Sequence, residues 1–319
     1  MISIFHPPSS IRYPSAVRFQ KIAIIGVGLL GGSIGLAVKR RRLAREVAGF
    51  VRRPESLKDC EKAGAVDYAT TDLLAAVSDA DLVILCTPLS QMRSRVAEML
   101  PALKRGAMVT DVGSVKAGVV RDLELLVQKY GAHFVGSHPM AGAEKTGVGA
   151  ARADLFENAV CVVTPTIISN VAAVRQVEEF WKSLGARTLR LSPAQHDALV
   201  SRSSHLPHIV AAALANLVLD PARPEFQSVL CANGFRDTTR IASGSPEMWR
   251  DIILANRENL RVVLDDFVRE LQKVQALLRV QRVRALLRAA DARKLEEFLA
   301  TAKHRRDNWC AHSAATSSE

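Results

Sequence analysis

The stretch that decides the fold of this chain is Gly26-Val27-Gly28-Leu29-Leu30-Gly31. It follows the β-rich run Lys21–Ile25 and opens a helical stretch, so a G-x-G-x-x-G spacing lies between a strand and a helix. The first glycine allows a tight turn, the second lets the backbone approach a pyrophosphate, and the third permits close helix–strand packing. Free N–H groups at the helix N-terminus then face the phosphates. The spacing therefore predicts that this loop, from Gly26 to Gly31, binds a dinucleotide, with Gly26, Gly28, Leu29, Leu30 and Gly31 as contacts.

The first half of the chain alternates short β-rich runs with helical stretches. The predicted strands are Lys21–Ile25, Val47–Val51, Asp81–Thr87, Met108–Asp111, His133–Gly136, Ala159–Thr164 and Thr188–Leu191. The fully apolar run Leu82–Leu85 is typical of a strand that is buried on both faces of a parallel sheet. This βαβ alternation predicts an α/β, doubly wound, Rossmann-like domain.

The pattern changes after Pro193, where apolar residues recur at spacings of three and four, as in an all-helical domain. A short helix around Leu295–Ala302 is expected to close the ordered chain. The predicted organisation is an irregular N-terminal arm over residues 1–20, a dinucleotide-binding domain over 21–192, a helical substrate and dimerisation domain over 193–308, and a disordered tail over 309–319.

Composition narrows the classes of protein. The chain carries 43 lysines and arginines against 32 aspartates and glutamates, which suits anionic ligands or solvated helix faces. Aromatic residues make up only 5%, too few for a base-stacking surface, so no nucleic-acid partner is expected. Neither a secretory signal nor an apolar run long enough for a membrane is found. The five cysteines show no C-x-x-C pairing, which argues against disulfides and zinc and favours a reducing cytoplasm.

Loops after three predicted strands carry the candidate chemistry. Thr87 and Pro88 end one strand and are expected to lie against the dinucleotide, because ligands collect at the carboxyl ends of the strands. Ser114 lies in the loop after a later strand, and His138 precedes a proline at the end of another. Histidine titrates near neutrality, so His138 is well placed for proton transfer.

The helical half adds two clusters. His205 and His208 are three residues apart and share a helix face, but no carboxylate or thiol stands at ligand spacing, so no metal is expected. The segment from Asn233 to Ala242 holds Arg236 and Arg240. Arginine binds carboxylates through two parallel hydrogen bonds, which suits an anionic substrate, although an interdomain salt bridge is the alternative for Arg236.

Taken in order, these motifs resemble one family. The segments are GVGLLGGSIGLA, LCTP, DVGSVK, GSHPMAG, the pair HD, SHLPH, GFRDTTRIA and PEMWRDI. Their combination resembles the prephenate/arogenate (cyclohexadienyl) dehydrogenase family over about Lys21 to Val280. The resemblance implies oxidative decarboxylation of prephenate or arogenate in tyrosine biosynthesis, with hydride transfer to NAD(P), and a homodimer built from the helical half.

The resemblance also implies roles for individual residues. His138 matches the catalytic histidine that hydrogen-bonds the substrate hydroxyl, and Ser114 matches the serine that orients this histidine and the nicotinamide. Arg240 matches the arginine that holds a substrate carboxylate, His208 a further residue of the substrate pocket, and Glu144 an entrance residue. Asp237 and Trp249 match packing or supporting positions.

The chain departs from the dinucleotide pattern at one point. An acidic residue is expected about 20 residues after the glycines, but the chain has Val51 followed by Arg52 and Arg53. Arginine can pair with a 2′-phosphate, so NADP is expected to be favoured over NAD. No room for an appended regulatory domain is expected after the helical half, and no residue distinguishes prephenate from arogenate.

Two other functions are alternatives to the prephenate/arogenate dehydrogenase activity. A hydroxy-acid dehydrogenase of the same architecture would need a catalytic lysine early in the second domain, and Pro193–Asp220 contains none. A non-catalytic dinucleotide sensor or nucleic-acid-binding protein would not need the set of His138, Ser114 and Arg240.

Overall fold

The computed structural model describes residues 18–143, 145–222, 225–278 and 285–315. Most of the predicted arm and the predicted entrance residue Glu144 lie outside them. The strands are β1 Phe19–Ile25, β2 Ala44–Phe50, β3 Tyr68–Thr70, β4 Leu82–Leu85, β5 Met108–Asp111, β6 His133–Pro139, β7 Val160–Thr164 and β8 Arg187–Arg190. The helices are α1 Leu29–Arg40, α2 Glu55–Ala63, α3 Leu73–Val77, α4 Leu89–Met99, α5 Ala117–Gln128, α6 Val171–Ser183, α7 Pro193–Val200, α8 Leu206–Val218, α9 Asn233–Thr239, α10 Pro246–Ala255, α11 Arg257–Leu278 and α12 Ala285–Ala315.

The strands form one sheet in the order β3-β2-β1-β4-β5-β6-β7-β8. All neighbouring pairs are parallel except β6 and β7. The carboxyl ends of β1, β4, β5 and β6 therefore share one edge of the sheet, which confirms the predicted Rossmann-like fold. The short strand β3 was not predicted, because its three residues contain no apolar run.

The alternation of side chains along the central strands separates two hydrophobic cores. Ile24 and Ile84 point to one face, where they join Trp181 of α6 in a buried cluster. Ile25 and Leu85 point to the other face and join a cluster with residues of α3 and α4. Strands covered on both faces need apolar residues at every position, which explains the continuous run in β4.

Strand β6 is longer than predicted. The expected strand ended at Gly136, whereas β6 continues to Pro139 because β7 pairs antiparallel with its second half, His138 opposite Val162. His138 is thus held in a strand and not in a loop. The ladder with β7 limits the movement of the backbone beneath this side chain.

The helical part begins where it was expected. Helix α7 starts at Pro193, and Ser192 and Gln195 form a capping box at its N-terminus. The sheet and the helices up to Asn256 belong to one compact unit. Asp197 of α7 accepts hydrogen bonds from the backbone of the β5–α5 connection, which joins the helices to the sheet.

A second compact unit starts at Arg257 and contains α11 and α12. Helix α12 is longer than the predicted helix Leu295–Ala302 and runs into the segment predicted to be disordered, ending at Ala315. Pairs of opposite charge one turn apart, such as Lys303 with Asp307, favour the helix there. Among the described helices, none is both long and apolar enough to cross a membrane.

Candidate active site

The glycine loop is a tight turn between β1 and α1. Gly26 has φ +101°, a conformation that favours glycine. A Cβ on Gly31 would lie 2.1 Å from the carbonyl oxygen of Gly26, so this position also admits only hydrogen. A Cβ on Gly28, by contrast, would meet nothing within 4 Å, so the backbone of Gly28 has open space beside it. The turn thus leaves its middle glycine accessible to a ligand.

A cleft of about 350 Å³ lies beside this turn. Its lining includes Gly26, Gly28, Val51, Arg52, Arg53, Asp59, Thr87 and Pro88. The hydroxyl oxygen of Thr87 is buried and has no hydrogen-bond partner within the described part of the chain. The open glycine, the unpaired hydroxyl and the two arginines fit a dinucleotide with its phosphates. Leu29 and Leu30 are half-buried at the start of α1 and do not line the cleft.

A chain of buried side chains starts at His138. Its Nδ1 lies 2.9 Å from Nε2 of His196, and Nδ1 of His196 lies 2.7 Å from Oδ1 of Asp197. The carboxylate of Asp197 also accepts hydrogen bonds from the backbone N–H groups of Lys116, at 2.7 Å, and Ala117, at 2.8 Å. Strand β6, helix α7 and the start of α5 are therefore joined at one point.

A buried ion pair lies beneath this chain. Lys116 and Asp111 are fully buried and in contact through Nζ and Oδ2. Lys116 Nζ also donates to the carbonyl oxygen of Ser137 at 2.9 Å, and the N–H of Ser137 donates to Asp111 Oδ1 at 3.1 Å. The indole N–H of Trp181 donates to the Ser137 hydroxyl at 3.0 Å. The residue before His138 is thus fixed by side chains from three elements.

The surroundings set the protonation of the histidines. Burial lowers the pKa of His138 well below the usual histidine range, and the neighbouring ammonium group of Lys116 lowers it further. Burial also lowers the pKa of His205 to about 4 and lowers that of His208. His138 is therefore neutral at pH 7, the state in which a histidine can accept a proton.

The SHLPH segment adds a second group of contacts. The ring of His208 is stacked on Trp249, with 3.5 Å between centroids and 9° between planes. Asn256 Nδ2 donates to the carbonyl oxygen of Asp197 at 2.8 Å and lies 3.1 Å from His205 Nδ1. Residues Ser201–His205 form a π-helical turn, a feature frequent at functional sites. No group of three or more metal-binding side chains is found among the residues described.

The remaining predicted residues lie on three different parts of the described structure. Ser114 is half-buried in the connection between β5 and α5. Arg240 is exposed and opens the one-turn segment Arg240–Ser243, which packs against α8, the helix that carries His208. Arg52 and Arg53 belong to the cleft and not to the histidine cluster.

Four residues of the site had no predicted role: Asp111, Lys116, His196 and Asp197. Two of them, Asp111 and Lys116, lie in the DVGSVK segment, and the other two form the HD pair. Two signals in the sequence could have indicated these residues. One is the pair of charged residues at the end of a strand and after it, and the other is the His-Asp pair at the start of a helix. Their pairing joins positions up to 81 residues apart, which one sequence does not reveal.

A dinucleotide cleft and a neutral buried histidine at one edge of a Rossmann-like sheet define a dinucleotide-dependent dehydrogenase. Residues 34–190 match the family model described as prephenate dehydrogenase, nucleotide-binding domain. Residues 192–292 match the model described as prephenate dehydrogenase, dimerization domain.

Individual relatives agree with the family models. The chain is 37% identical to a prephenate dehydrogenase of Bacillus subtilis over 90% of this chain and 75% of the relative. It is 34% identical to a cyclohexadienyl dehydrogenase of Zymomonas mobilis over 82% of this chain and 90% of the relative. A crystal structure of prephenate dehydrogenase from A. aeolicus, in complex with hydroxyphenyl propionate and NAD+, superposes with a TM-score of 0.81 at 33% identity, covering 90% of this chain and 97% of that one.

The chain belongs to the prephenate dehydrogenase family. The resemblance inferred from the motifs is confirmed, and with it the expectation of an NAD(P)-dependent oxidoreductase of the prephenate/cyclohexadienyl type. The two matched models leave the alternatives of a different hydroxy-acid dehydrogenase and of a non-catalytic binding protein without support.

Proposed function

We propose that the chain oxidises and decarboxylates prephenate or arogenate, giving 4-hydroxyphenylpyruvate or tyrosine, with His138 as the base. The observation that carries this assignment is the neutral, buried His138 at the sheet edge that also holds the Gly26 turn. A base must be unprotonated before it acts, and burial supplies that condition here.

The chemistry requires one proton acceptor and a held substrate. When bound, the nicotinamide supplies the hydride acceptor. His138 takes the proton of the ring hydroxyl as the hydride leaves the same carbon. The carboxylate on the ring then departs as carbon dioxide, and its electron pair completes the aromatic ring. His138 returns the proton to the ring oxygen, so the residue ends the cycle unchanged.

The substrate is held, in this proposal, by residues from the helical part. Arg240 pairs with a substrate carboxylate, which suits its exposed position on the segment that packs against α8. His208, stacked on Trp249, forms one wall of the pocket. Ser114 orients His138 and the nicotinamide from the β5–α5 connection. The entrance role of Glu144 stays a prediction from the resemblance, since this residue lies outside those that the structure describes.

The cofactor proposed is NADP in preference to NAD. Two arginines, Arg52 and Arg53, line the cleft after β2, and Val51 supplies no carboxylate to the ribose. Asp59 and Arg95 also line the cleft, and three positive charges against one negative charge leave an excess that favours a phosphate. The A. aeolicus relative was crystallised with NAD+. The preference for NADP proposed here is based on the cleft residues of this chain.

The proposed assembly is a homodimer in the cytoplasm, without a nucleic-acid or membrane partner. Residues 192–292 match the dimerization model, and within that span Phe226, Val229 and Leu230 are more than 75% exposed. A twofold partner would cover such apolar side chains. All five cysteines are free, in keeping with a reducing compartment. Light scattering at micromolar concentration should report twice the mass of the chain, and a monomer would contradict the dimer.

The test of function is an assay with prephenate and arogenate, each with NAD and with NADP, following absorbance of the reduced nicotinamide. Turnover of at least one substrate, with release of one carbon dioxide per reduced nicotinamide, is expected. Reduction of the cofactor without release of carbon dioxide would contradict oxidative decarboxylation. Absence of turnover in all four combinations by folded, dinucleotide-binding protein would overturn the proposal.

A further inference from the structure

We propose that His196 is a positioning residue that holds the proton of His138 on Nδ1 and so leaves Nε2 of His138 as the basic nitrogen. The inference deepens the proposed function, because it specifies which atom of His138 acts. It depends on the chain of contacts from His138 through His196 to Asp197.

The series of side-chain contacts that begins at His138 ends at Asp197. Its two carboxylate oxygens accept backbone N–H groups from Lys116 and Ala117, at 2.7 and 2.8 Å. Because both oxygens already accept a backbone N–H, the carboxylate acts as an acceptor. Nδ1 of His196, 2.7 Å from Asp197 Oδ1, must therefore carry a proton and donate it.

The two nitrogens of the His196 ring face different partners, Asp197 and His138. The proposed arrangement has a neutral His196 ring, which carries one N–H; with that proton on Nδ1, Nε2 of His196 is an acceptor. The facing atom is Nδ1 of His138, at 2.9 Å. A hydrogen bond at this distance needs a donor, so Nδ1 of His138 carries the proton. Nε2 of His138 then holds a lone pair.

Burial keeps this arrangement fixed. His196 is completely buried and Asp197 is 2% exposed, so water cannot replace either partner. The two histidine rings meet edge to face, with 5.1 Å between centroids and 74° between planes, which also fixes the orientation of the His138 ring. When Nε2 of His138 takes the substrate proton, the positive charge is offset through His196 by the carboxylate of Asp197.

The other positive charge near His138 does not compete for this carboxylate. Lys116 directs its ammonium group to Asp111 and to the Ser137 carbonyl, and only its backbone N–H reaches Asp197. The His205 ring approaches Asn256 through Nδ1, and Asn256 Nδ2 donates to the backbone carbonyl oxygen of Asp197. The side chain of Asp197 therefore serves His196 and two backbone groups.

The test combines a tautomer measurement with kinetics on the full-length protein. Ring nitrogens of histidine labelled with ¹⁵N give separate NMR signals for protonated and unprotonated nitrogen, and the His138→Asn variant identifies the signals of His138. At neutral pH the wild-type signal of His138 Nδ1 should be that of a protonated nitrogen and Nε2 that of an unprotonated one. The opposite assignment in the wild type would overturn the inference, whatever the activity.

Two substitutions of His196 separate positioning from packing. His196→Phe keeps the ring volume but removes the acceptor, and should shift the His138 proton toward Nε2 and lower kcat by about 10²-fold. His196→Gln retains an oxygen acceptor, and should keep the wild-type tautomer with kcat within about tenfold of wild type. The exposed His304→Phe is the matched control and should change neither measurement.

The outcomes distinguish this inference from the proposed function. If His196→Phe folds and keeps both the tautomer and kcat, His196 does not position His138. If His196→Phe does not fold, the inference is tested by the tautomer of His138 in the wild type and in His196→Gln. Loss of the proton from Nδ1 of His138 in His196→Gln would contradict the inference. If the tautomers behave as expected but neither substrate is turned over, the proposed function fails and the positioning role stands.

Discussion

The cofactor cleft and the histidine cluster share one sheet edge but are built in opposite ways. The cleft is formed by backbone at Gly26 and Gly28 and by exposed side chains such as Arg52 and Arg53. The histidine cluster consists of buried polar side chains joined by hydrogen bonds or an ion pair, namely His138 with His196, His196 with Asp197, and Lys116 with Asp111. A change in the cleft removes a contact to a ligand, whereas a change in the cluster also leaves a buried partner unpaired.

This difference orders the expected effects of substitution. A buried donor or acceptor that loses its partner incurs its full desolvation cost, while an exposed group is solvated again by water. Substitutions in the histidine cluster should therefore affect kcat or the free energy of unfolding strongly. Substitutions in the cleft should affect KM for the cofactor more weakly and leave folding intact.

The largest effect is expected for His138→Asn. Removing a positioned acid–base group should lower kcat by about 10²–10⁴-fold. Thermal unfolding and cofactor binding should remain close to wild type, because asparagine keeps a polar group near His196. His133→Asn, at the other end of β6, is the matched control and should keep full activity. An active His138→Asn enzyme would remove His138 from its catalytic role.

A comparable loss, measured here in folding, is expected for Lys116→Met. The substitution leaves the fully buried carboxylate of Asp111 without its cation, and breaking a buried pair in this way costs about 3–5 kcal/mol. Denaturant unfolding gives the value directly. Lys104→Met is the matched control, because solvent screens the exposed pair of Lys104 with Asp81 and its loss should change the free energy of unfolding far less. Equal effects at the two positions would refute the contrast between buried and exposed pairs.

The cleft was predictable from the sequence to a greater extent than the cluster. The Gly26 turn and the two arginines after β2 are local features, since each depends on neighbours along the chain. The contact between His138 and His196 joins residues 58 apart, and it depends on how α7 packs against the sheet. The extension of β6 through His138 depends in the same way on β7, whose antiparallel pairing no local pattern indicates.

The helical half shows the same limit. Pro193 was placed correctly at the start of α7, because a proline after a serine cap is a local signal. The length of α12 was underestimated, because a polar and alanine-rich segment has no apolar periodicity to mark a helix. The compactness of the unit that ends at Asn256 follows from contacts of Asp197 that only the folded chain brings together.

An intermediate effect is expected for Arg240→Ala. Removing a partner of a substrate carboxylate costs about 2–5 kcal/mol, and the low end applies here because Arg240 is exposed. The KM for prephenate or arogenate should rise by roughly 30-fold, which corresponds to about 2 kcal/mol. The KM for the cofactor should stay within about twofold of wild type, a difference of about 0.4 kcal/mol. The exposed Arg45→Ala is the control, and an unchanged substrate KM for Arg240→Ala would place Arg240 outside the pocket.

The smallest effect is expected for the double variant Arg52→Ala/Arg53→Ala, which tests whether the cleft recognises the 2′-phosphate. Both arginines are exposed and line the cleft, so neither substitution should change the free energy of unfolding measurably. If they contact the 2′-phosphate, the double variant should lose about tenfold or more in kcat/KM with NADP, about 1.4 kcal/mol. Its kcat/KM with NAD should change little, because NAD has no 2′-phosphate. Arg45→Ala, at the opposite end of β2 from the cleft, is again the control.

Equal losses with both cofactors would mean that the arginines contact a part common to both, such as the adenine. A wild-type preference of tenfold or more for NAD would show that the arginines do not recognise the 2′-position, and that the single carboxylate of Asp59 outweighs them.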